Sequence, residues 1–190
     1  MLNQLLIFLL EALFGLFSLT LLLRFYVQFL RIPHHSPLSQ FLMVATDFIV
    51  RPARRVIPEL WGKDLATLLL AWLIQSFLLA GTQAIQGLDF HSTIRTTVIE
   101  FGLLGLIEIT RTALHIILVA VIIQIALSWL NPRHPADALL DSFTQPLLKI
   151  FRKRIPRIGN VDLSSLFILF IIQLLLLFLT NIQRGVSGLF

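Results

Sequence analysis

The 190-residue chain contains no cysteine and few charged residues. The absence of cysteine excludes disulfides, thiolate nucleophiles, cysteine-ligated zinc and iron–sulfur clusters. Only 13% of the residues are charged, about half the share of an ordinary soluble domain, whereas 57% are hydrophobic. This composition excludes a soluble globular domain and is typical of an integral membrane protein.

Four apolar stretches are long enough to cross a bilayer, which takes about 20 residues of helix. They lie at about 9–30, 65–85, 111–130 and 163–182, and the second and fourth contain no charged residue. The connections between them are too short for a further independent core. The sequence therefore predicts an all-α membrane protein with four transmembrane helices in a single membrane domain, residues 1–190.

Basic residues are concentrated in the two connections that follow the first and third spans. These connections hold 11 of the 15 Lys and Arg, whereas the connection from Gln86 to Thr110 holds only Arg95. Because Lys and Arg near span ends stay on the cytoplasmic side, we expect both basic loops inside and both termini outside. The positive net charge then reflects topology and contact with anionic headgroups, and we expect no binding of nucleic acid.

The second half of the chain repeats the first at an offset of 98 residues, which becomes 100 upstream of the basic loops. Each unit, 9–86 and 109–183, consists of a span, a basic loop and a span, so both enter the membrane in the same direction. The sequence thus predicts a parallel tandem repeat of two-span units. Identical pairs include Pro37/Pro135, Leu42/Leu140, Thr46/Thr144, Arg54/Arg152, Ile57/Ile155, Pro58/Pro156, Asp64/Asp162 and Leu68/Leu166.

Each basic loop contains a predicted short amphipathic helix that begins next to a proline, a residue suited to the first helical turn. The cations that follow this helix favour a position in the cytoplasmic interface, with the charges at phosphate level. A re-entrant helix is the alternative. The apolar positions are Leu38, Phe41, Leu42, Ala45 and Ile49 in the first loop, and Ala136, Leu139, Leu140, Phe143 and Leu147 in the second.

A motif in each loop resembles the YggT family of small bacterial membrane proteins. The two copies read Thr46-Asp-Phe-Ile-Val-Arg-Pro-Ala-Arg-Arg-Val-Ile-Pro58 and Thr144-Gln-Pro-Leu-Leu-Lys-Ile-Phe-Arg-Lys-Arg-Ile-Pro156, and each leads to an Asp that opens a span. Ser128-Trp129 precedes the second copy. The resemblance covers essentially the whole chain. Its motif residues are Thr46, Arg54, Arg55, Pro58 and Asp64, and Thr144, Arg152, Lys153, Pro156 and Asp162.

The resemblance implies an integral protein of the bacterial inner (plasma) membrane with a role in osmotic stress tolerance and ion homeostasis, with potassium as the first candidate. Relatives called YlmG, and plastid relatives, are linked to division, nucleoid distribution or cytochrome assembly. Two hypotheses follow. The chain is either a channel-like oligomer or accessory of an ion uptake system, or a non-transporting scaffold for division or membrane-complex assembly. The expected partners are anionic lipids and a second copy or another membrane protein.

The motif residues also have simpler structural interpretations. Asp64 and Asp162 stand directly before apolar runs, where a carboxylate caps free amide groups and complements the helix dipole; ion ligation is the alternative. Arg54, Arg55, Arg152 and Lys153 set topology and contact headgroups, or else bind a partner or a specific lipid. Pro58 and Pro156 end the preceding helix, and Thr46 and Thr144 make local backbone hydrogen bonds.

Two glutamines are the most informative polar residues within the spans. Gln75 and Gln173 correspond at the 98-residue offset, and each lies eleven residues past its aspartate. Eleven residues of helix are about 16 Å, which places both side chains near the middle of the membrane. We expect a hydrogen bond between the second and fourth spans, with the lining of a polar path as the alternative.

Glu11 and Arg111 form a second corresponding pair, at the 100-residue offset. They are predicted to lie at equal depth on the first and third spans, where an ion pair would neutralise both charges. Glu108 and His115 share a helical face with Arg111, so pairing within the third helix is the alternative.

The remaining residues give no catalytic pattern. The five histidines lack metal-ligand spacing, and the sequence has no Ser-His-Asp order, phosphate-binding glycine loop or close carboxylate pair. We therefore expect no enzyme activity, cofactor or metal.

Overall fold

A computed structural model of the chain describes residues 1–30, 36–57, 64–87, 94–130, 140, 143–144 and 163–187. Within these residues the chain forms five helices and no strand. They are α1 (Leu2–Phe29), α2 (Pro37–Val56), α3 (Leu65–Gln86), α4 (Ile94–Leu130) and α5 (Leu163–Ser187). The predicted all-α class is confirmed.

Four of these helices are long and apolar enough to cross a membrane. They are α1, α3, the part of α4 from Val98 to Leu127, and α5 from Ser164 onward. Large apolar side chains lie exposed along all four helices, which in a protein of this composition is expected of lipid-facing surface. The four predicted spans are thus confirmed as helices.

The third of these helices begins earlier than the sequence predicts. We expect a span at 111–130, but α4 begins at Ile94 and runs for 37 residues. Glu100, Glu108 and Arg111 interrupt the apolar run without interrupting the helix, since glutamate and arginine are good helix formers. The connection from Gln86 to Thr110 is therefore largely helical. The helix α1 likewise begins at Leu2, ahead of the predicted start at residue 9.

The predicted loop helix of the first repeat is α2. Pro37 occupies its first turn, and the Ser36 hydroxyl accepts a hydrogen bond from the Ser39 amide at 3.2 Å, which satisfies one of the free amide groups of the first turn. Pro52 lies inside the helix near its end, where Arg54 and Arg55 occupy the last turn. Of the second loop helix, only residues 140, 143 and 144 lie within the described residues, and all three are helical.

The described residues form two compact units, Met1–Thr112 with Asn181–Phe190 and Ala113–Thr180. In the first unit, α1 and α3 run antiparallel: Leu10 packs against Gly81, and the rings of Phe14 and Phe77 are 5.8 Å apart. The first part of α4 joins α3, where the Trp72 indole donates to the Gly102 carbonyl at 2.9 Å. The predicted single membrane domain and its repeat boundaries stay predictions.

The second unit has an apolar core between α4 and α5. Val121, Ile168 and Ile172 are almost completely buried there, and Leu176 lies at the edge of the cluster. Close packing of branched aliphatic side chains supplies the contact that holds such helices together. The hydroxyls of Ser164 and Ser165 are buried at the start of α5.

Candidate functional site

A buried polar network joins α2 to the end of α1 and the start of α3, and we refer to this region as the α2 end of the first unit. Arginine and aspartate side chains from all three helices take part, with hydroxyl and amide groups between them. Its members are Arg24, Gln28, Thr46, Asp47, Arg51, Arg54, Asp64 and Thr67.

Arg24 connects α1 to α2. Its guanidinium donates to the Thr46 hydroxyl at 2.7 Å and lies 2.8 Å from the Asp47 carboxylate. The side chain of Arg24 is only 5% exposed, whereas that of Asp47 is 25% exposed. Arg51, one helical turn beyond Asp47, binds the same carboxylate at 2.7 Å. A buried charge needs a partner of opposite sign, and Asp47 supplies it to Arg24.

The Thr46 hydroxyl makes one hydrogen bond in addition to the local backbone bond that the sequence predicts. It donates to the Leu42 carbonyl at 2.6 Å, which confirms the predicted backbone bond, and it also accepts from Arg24. Because the residue is completely buried, its hydroxyl lone pair gives the guanidinium of Arg24 a second acceptor inside the protein.

Asp64 connects α3 to α2. Its carboxylate accepts from the Thr67 amide at 3.3 Å and the Thr67 hydroxyl at 2.5 Å, so the predicted helix cap is confirmed. Arg54 donates to the same carboxylate at 2.5 Å. The Gln28 amide of α1, oriented to satisfy both neighbours, donates to Asp64 at 2.9 Å and accepts from Arg54 at 3.1 Å. Arg54 is therefore engaged within the chain, a contact that the sequence does not predict, and the two roles predicted for it stay predictions.

Both aspartates of the network are held in the charged form. Burial raises the pKa of the Asp64 carboxyl, but hydrogen bonds from Arg54 and Thr67 and the charge of Arg54 outweigh it, and the pKa lies below its usual value of 3.8. The pKa of Asp47 is lowered in the same way, because Arg24 and Arg51 together outweigh the effect of burial. These aspartates act as fixed negative charges at neutral pH.

The second repeat makes a corresponding contact with neutral groups. The Thr144 hydroxyl lies 2.8 Å from the Gln124 amide oxygen and 2.9 Å from the Leu140 carbonyl. Gln124 corresponds to Arg24 at the 100-residue offset, and Gln145 corresponds to Asp47 at the 98-residue offset. Both members of the charged pair are therefore replaced together, which indicates that each charge is present because of the other.

The other motif residues fall into two groups. Arg55 is exposed on α2, next to the inward-facing Arg54. The second group lies outside the described residues and comprises Pro58, Arg152, Lys153, Pro156 and Asp162.

The intramembrane glutamines differ in burial. Gln75 is 9% exposed within the first unit, whereas Gln173 is exposed on α5 in the second. The hydroxyl oxygens of Ser18 and Ser76 are also buried, and neither has a hydrogen-bond partner among the described residues. The register of α1 against α3 places Ser18 level with Leu73, about 5 Å along the axis from Ser76. The predicted hydrogen bond between Gln75 and Gln173 stays a prediction.

Arg111 pairs within its own helix, the second of the two predicted arrangements. It donates to Glu108 at 2.6 Å and to the Gln183 amide oxygen at 2.5 Å, and Gln183 donates back to Glu108 at 3.1 Å. Glu11 is exposed on α1. The ion pair predicted between Glu11 and Arg111 stays a prediction.

No metal centre is present among the described residues, where no three His, Asp or Glu side chains are grouped closely enough to hold an ion. The arrangement of the polar network instead suits attachment of α2 to two membrane-crossing helices. Sequence reasoning missed Arg24, Gln28, Asp47 and Thr67 as parts of it. Two features of the sequence point to the network. The charged residues Arg24 and Asp47 are both replaced by glutamine in the second repeat, at positions 124 and 145, and the hydroxyl of Thr67 is kept there as Ser165.

Comparison with known proteins places two segments of the chain, residues 3–85 and 103–183, on the same family model, CCB3/YggT. A Pseudomonas aeruginosa protein is 35% identical over 190 residues, covering 99% of this chain and 94% of its own. A Vibrio alginolyticus protein is 33% identical over 167 residues, covering 86% of each chain. The YggT protein of Escherichia coli K12 is 30% identical over 175 residues, covering 92% of this chain and 86% of its own. No solved structure matches.

Proposed function

This chain belongs to the CCB3/YggT family of membrane proteins, and from that premise we propose that it acts in ion homeostasis and osmotic stress tolerance in the bacterial inner membrane. In this proposal the basic loops face the cytoplasm. The protein moves a monovalent cation, potassium first, as an assembly of copies or together with an uptake system.

The position of Gln75, which is buried in the middle of α3, is the observation that carries this proposal. A polar side chain in the middle of a span is costly in hydrocarbon unless it meets another polar group. The hydroxyls of Ser18 and Ser76, which have no hydrogen-bond partner among the described residues, lie at a similar depth to Gln75. Polar groups without internal partners at this depth support a role in binding water or an ion.

The chemistry of these groups suits a monovalent cation. Amide and hydroxyl oxygens are neutral, and neutral oxygens replace the hydration shell of potassium in selective channels. Three side-chain oxygens do not complete such a shell, so we expect conduction to require a dimer or larger assembly. A strictly monomeric protein that conducts in nanodiscs would contradict this requirement.

The test is potassium flux into proteoliposomes under an imposed gradient. We compare the unchanged chain with Gln75→Leu and with Gln86→Leu, a matched variant at the exposed end of the same helix. A rise of about 1.4 kcal/mol in the barrier to permeation lowers the flux about tenfold. We therefore expect Gln75→Leu to lose most of the flux and Gln86→Leu to retain it.

Two results would refute the proposal. One is the absence of flux in vesicles shown by circular dichroism to contain folded protein, with no gain when an uptake system is supplied. The other is undiminished flux through Gln75→Leu. Either result would favour the non-transporting scaffold.

A further inference from the structure

One side of α2 is exposed along its whole length. Its residues recur at helical spacing: Phe41, Val44 and Phe48 are 67%, 81% and 71% exposed, and the exposed Arg51 and Arg55 follow at the end of the helix. We call these five residues the outer ridge of α2. The ridge is apolar over its first turns and cationic over its last.

The outer ridge is fixed in position relative to the membrane-crossing helices. The Phe48 ring packs against Phe17 of α1, with ring centroids 5.6 Å apart. Phe17 lies within the span, about 10 Å along the axis from Arg24. The ion pairs of Asp47 with Arg24 and of Arg54 with Asp64 hold the opposite side of α2 against α1 and α3.

Adjacent arginines at the end of α2 face different surroundings. The Arg54 side chain turns inward to Asp64. Arg55 is exposed, has no ion pair among the described residues, and shares the outer ridge with Arg51, whose side chain is 78% exposed. The net charge of the ridge is positive, because Arg51 shares Asp47 with Arg24.

We propose that the outer ridge of α2 binds acidic phospholipids. Phe41, Val44 and Phe48 enter the acyl boundary of the leaflet, and Arg51 and Arg55 bind lipid phosphates. A helix with aromatic residues on one face and arginines beside them is suited to this interface, and an anionic leaflet attracts each such cation. The contact of Phe48 with a ring inside the span argues for lipid, since it places this end of the apolar part of the ridge at acyl depth.

The proposal does not depend on ion transport, because the outer ridge contains none of the intramembrane polar residues. It also predicts that the two repeats differ in how they bind lipid. The positions that correspond to Phe41, Val44 and Phe48 are Leu139, Ser142 and Pro146, whereas the cations are kept as Lys149 and Lys153. We therefore expect aromatic insertion to be specific to the first repeat, and some selectivity for acidic lipid to persist when only its arginines are changed.

The absence of cysteine makes a direct test of depth available. Val44→Cys introduces a single thiol, which is labelled with a nitroxide in the full-length protein in vesicles of phosphatidylcholine and phosphatidylglycerol, an acidic lipid. We expect high accessibility to oxygen and low accessibility to a water-soluble nickel complex. A label accessible to nickel, or excluded from both reagents by protein contact, would overturn the proposal.

A second measurement tests the arginines. Spin-labelled phosphatidylglycerol and phosphatidylcholine compete for the protein surface, and their relative association with the chain is compared between variants. We expect Arg51→Gln/Arg55→Gln to reduce the preference for phosphatidylglycerol at least twofold. Arg184→Gln, an exposed cation at the end of α5, should leave it unchanged.

The single variant Arg55→Gln distinguishes lost lipid binding from misfolding, because Arg55 takes no part in the polar network. It should lower the preference in the same direction as the double variant, with unchanged helix content. An unchanged preference in both variants, or an equal loss in Arg184→Gln, would overturn specific binding at the outer ridge.

Discussion

The second repeat suggests how to test the ion pair between Arg24 and Asp47. Replacing Asp47 with Gln leaves the guanidinium of Arg24 buried, with Thr46 as its remaining acceptor. Breaking a fully buried pair in this way costs about 3–5 kcal/mol. Because Asp47 is 25% exposed and water reaches the site, we expect a loss of about 2–3 kcal/mol in the free energy of unfolding.

Replacing Arg24 with Gln should cost less. Asp47 then keeps Arg51 and partial exposure to water, so we expect a loss of about 1–2 kcal/mol. The double variant Arg24→Gln/Asp47→Gln copies Gln124 and Gln145 of the second repeat, where a glutamine reaches the corresponding threonine. It should unfold within about 1 kcal/mol of the unchanged chain, which gives a coupling energy of about 2–5 kcal/mol between the two sites.

The assay is unfolding of the four proteins by sodium dodecyl sulfate in mixed micelles, followed by far-ultraviolet circular dichroism. Arg184→Gln serves as the control for removal of an exposed cation. Additive losses, with a coupling energy under about 0.5 kcal/mol, would show that the two charges do not depend on each other. The explanation of their joint replacement in the second repeat would then be wrong.

Two further predictions concern the same unit. The pKa values of Asp64 and Asp47 are lowered in the folded chain, so their ionised carboxylates stabilise it at neutral pH, and this contribution is lost as the pH falls below about 4. Asp64→Asn should therefore reduce the acid sensitivity measured by circular dichroism between pH 6 and 3. An unchanged acid transition would contradict this. A Cβ at Gly105 would overlap the Ser76 hydroxyl and lie 3.3 Å from the Ser76 Cα, so Gly105→Val should destabilise by about 2–3 kcal/mol, as overpacking does. Gly185→Val, where a Cβ meets nothing within 4 Å, is the matched control, and equal losses in both would rule out the close approach.

Local signals in the sequence predict the fold well, and contacts between distant residues account for what they miss. Apolar length identifies the four spans, and an aspartate directly before an apolar run predicts the cap at Asp64. Two contacts of charged residues within the spans are not predicted from the sequence, for the same physical reason. Arg24 pairs with Asp47 and Glu108 accepts a hydrogen bond from Gln183, and both partners are distant in sequence from the charge. A search for charge-free apolar stretches does not predict the early start of α4, because the helix continues through Glu108 and Arg111.

The two repeats differ in ways that bear on where function lies. At the α2 end, the ion pair of the first repeat is replaced in the second by two glutamines, and the hydroxyl contact with the loop helix is kept. Such a paired exchange preserves the attachment and changes no net charge. In the middle of the membrane the two repeats differ in polarity. Ser18 and Ser76 of the first repeat correspond to Leu118 and Leu174 of the second, so polar groups are replaced by apolar ones with no matching change. An uncompensated gain of polar groups in hydrocarbon has a cost that packing alone does not explain. The first repeat is therefore where a dependence of ion flux on single side chains should be sought.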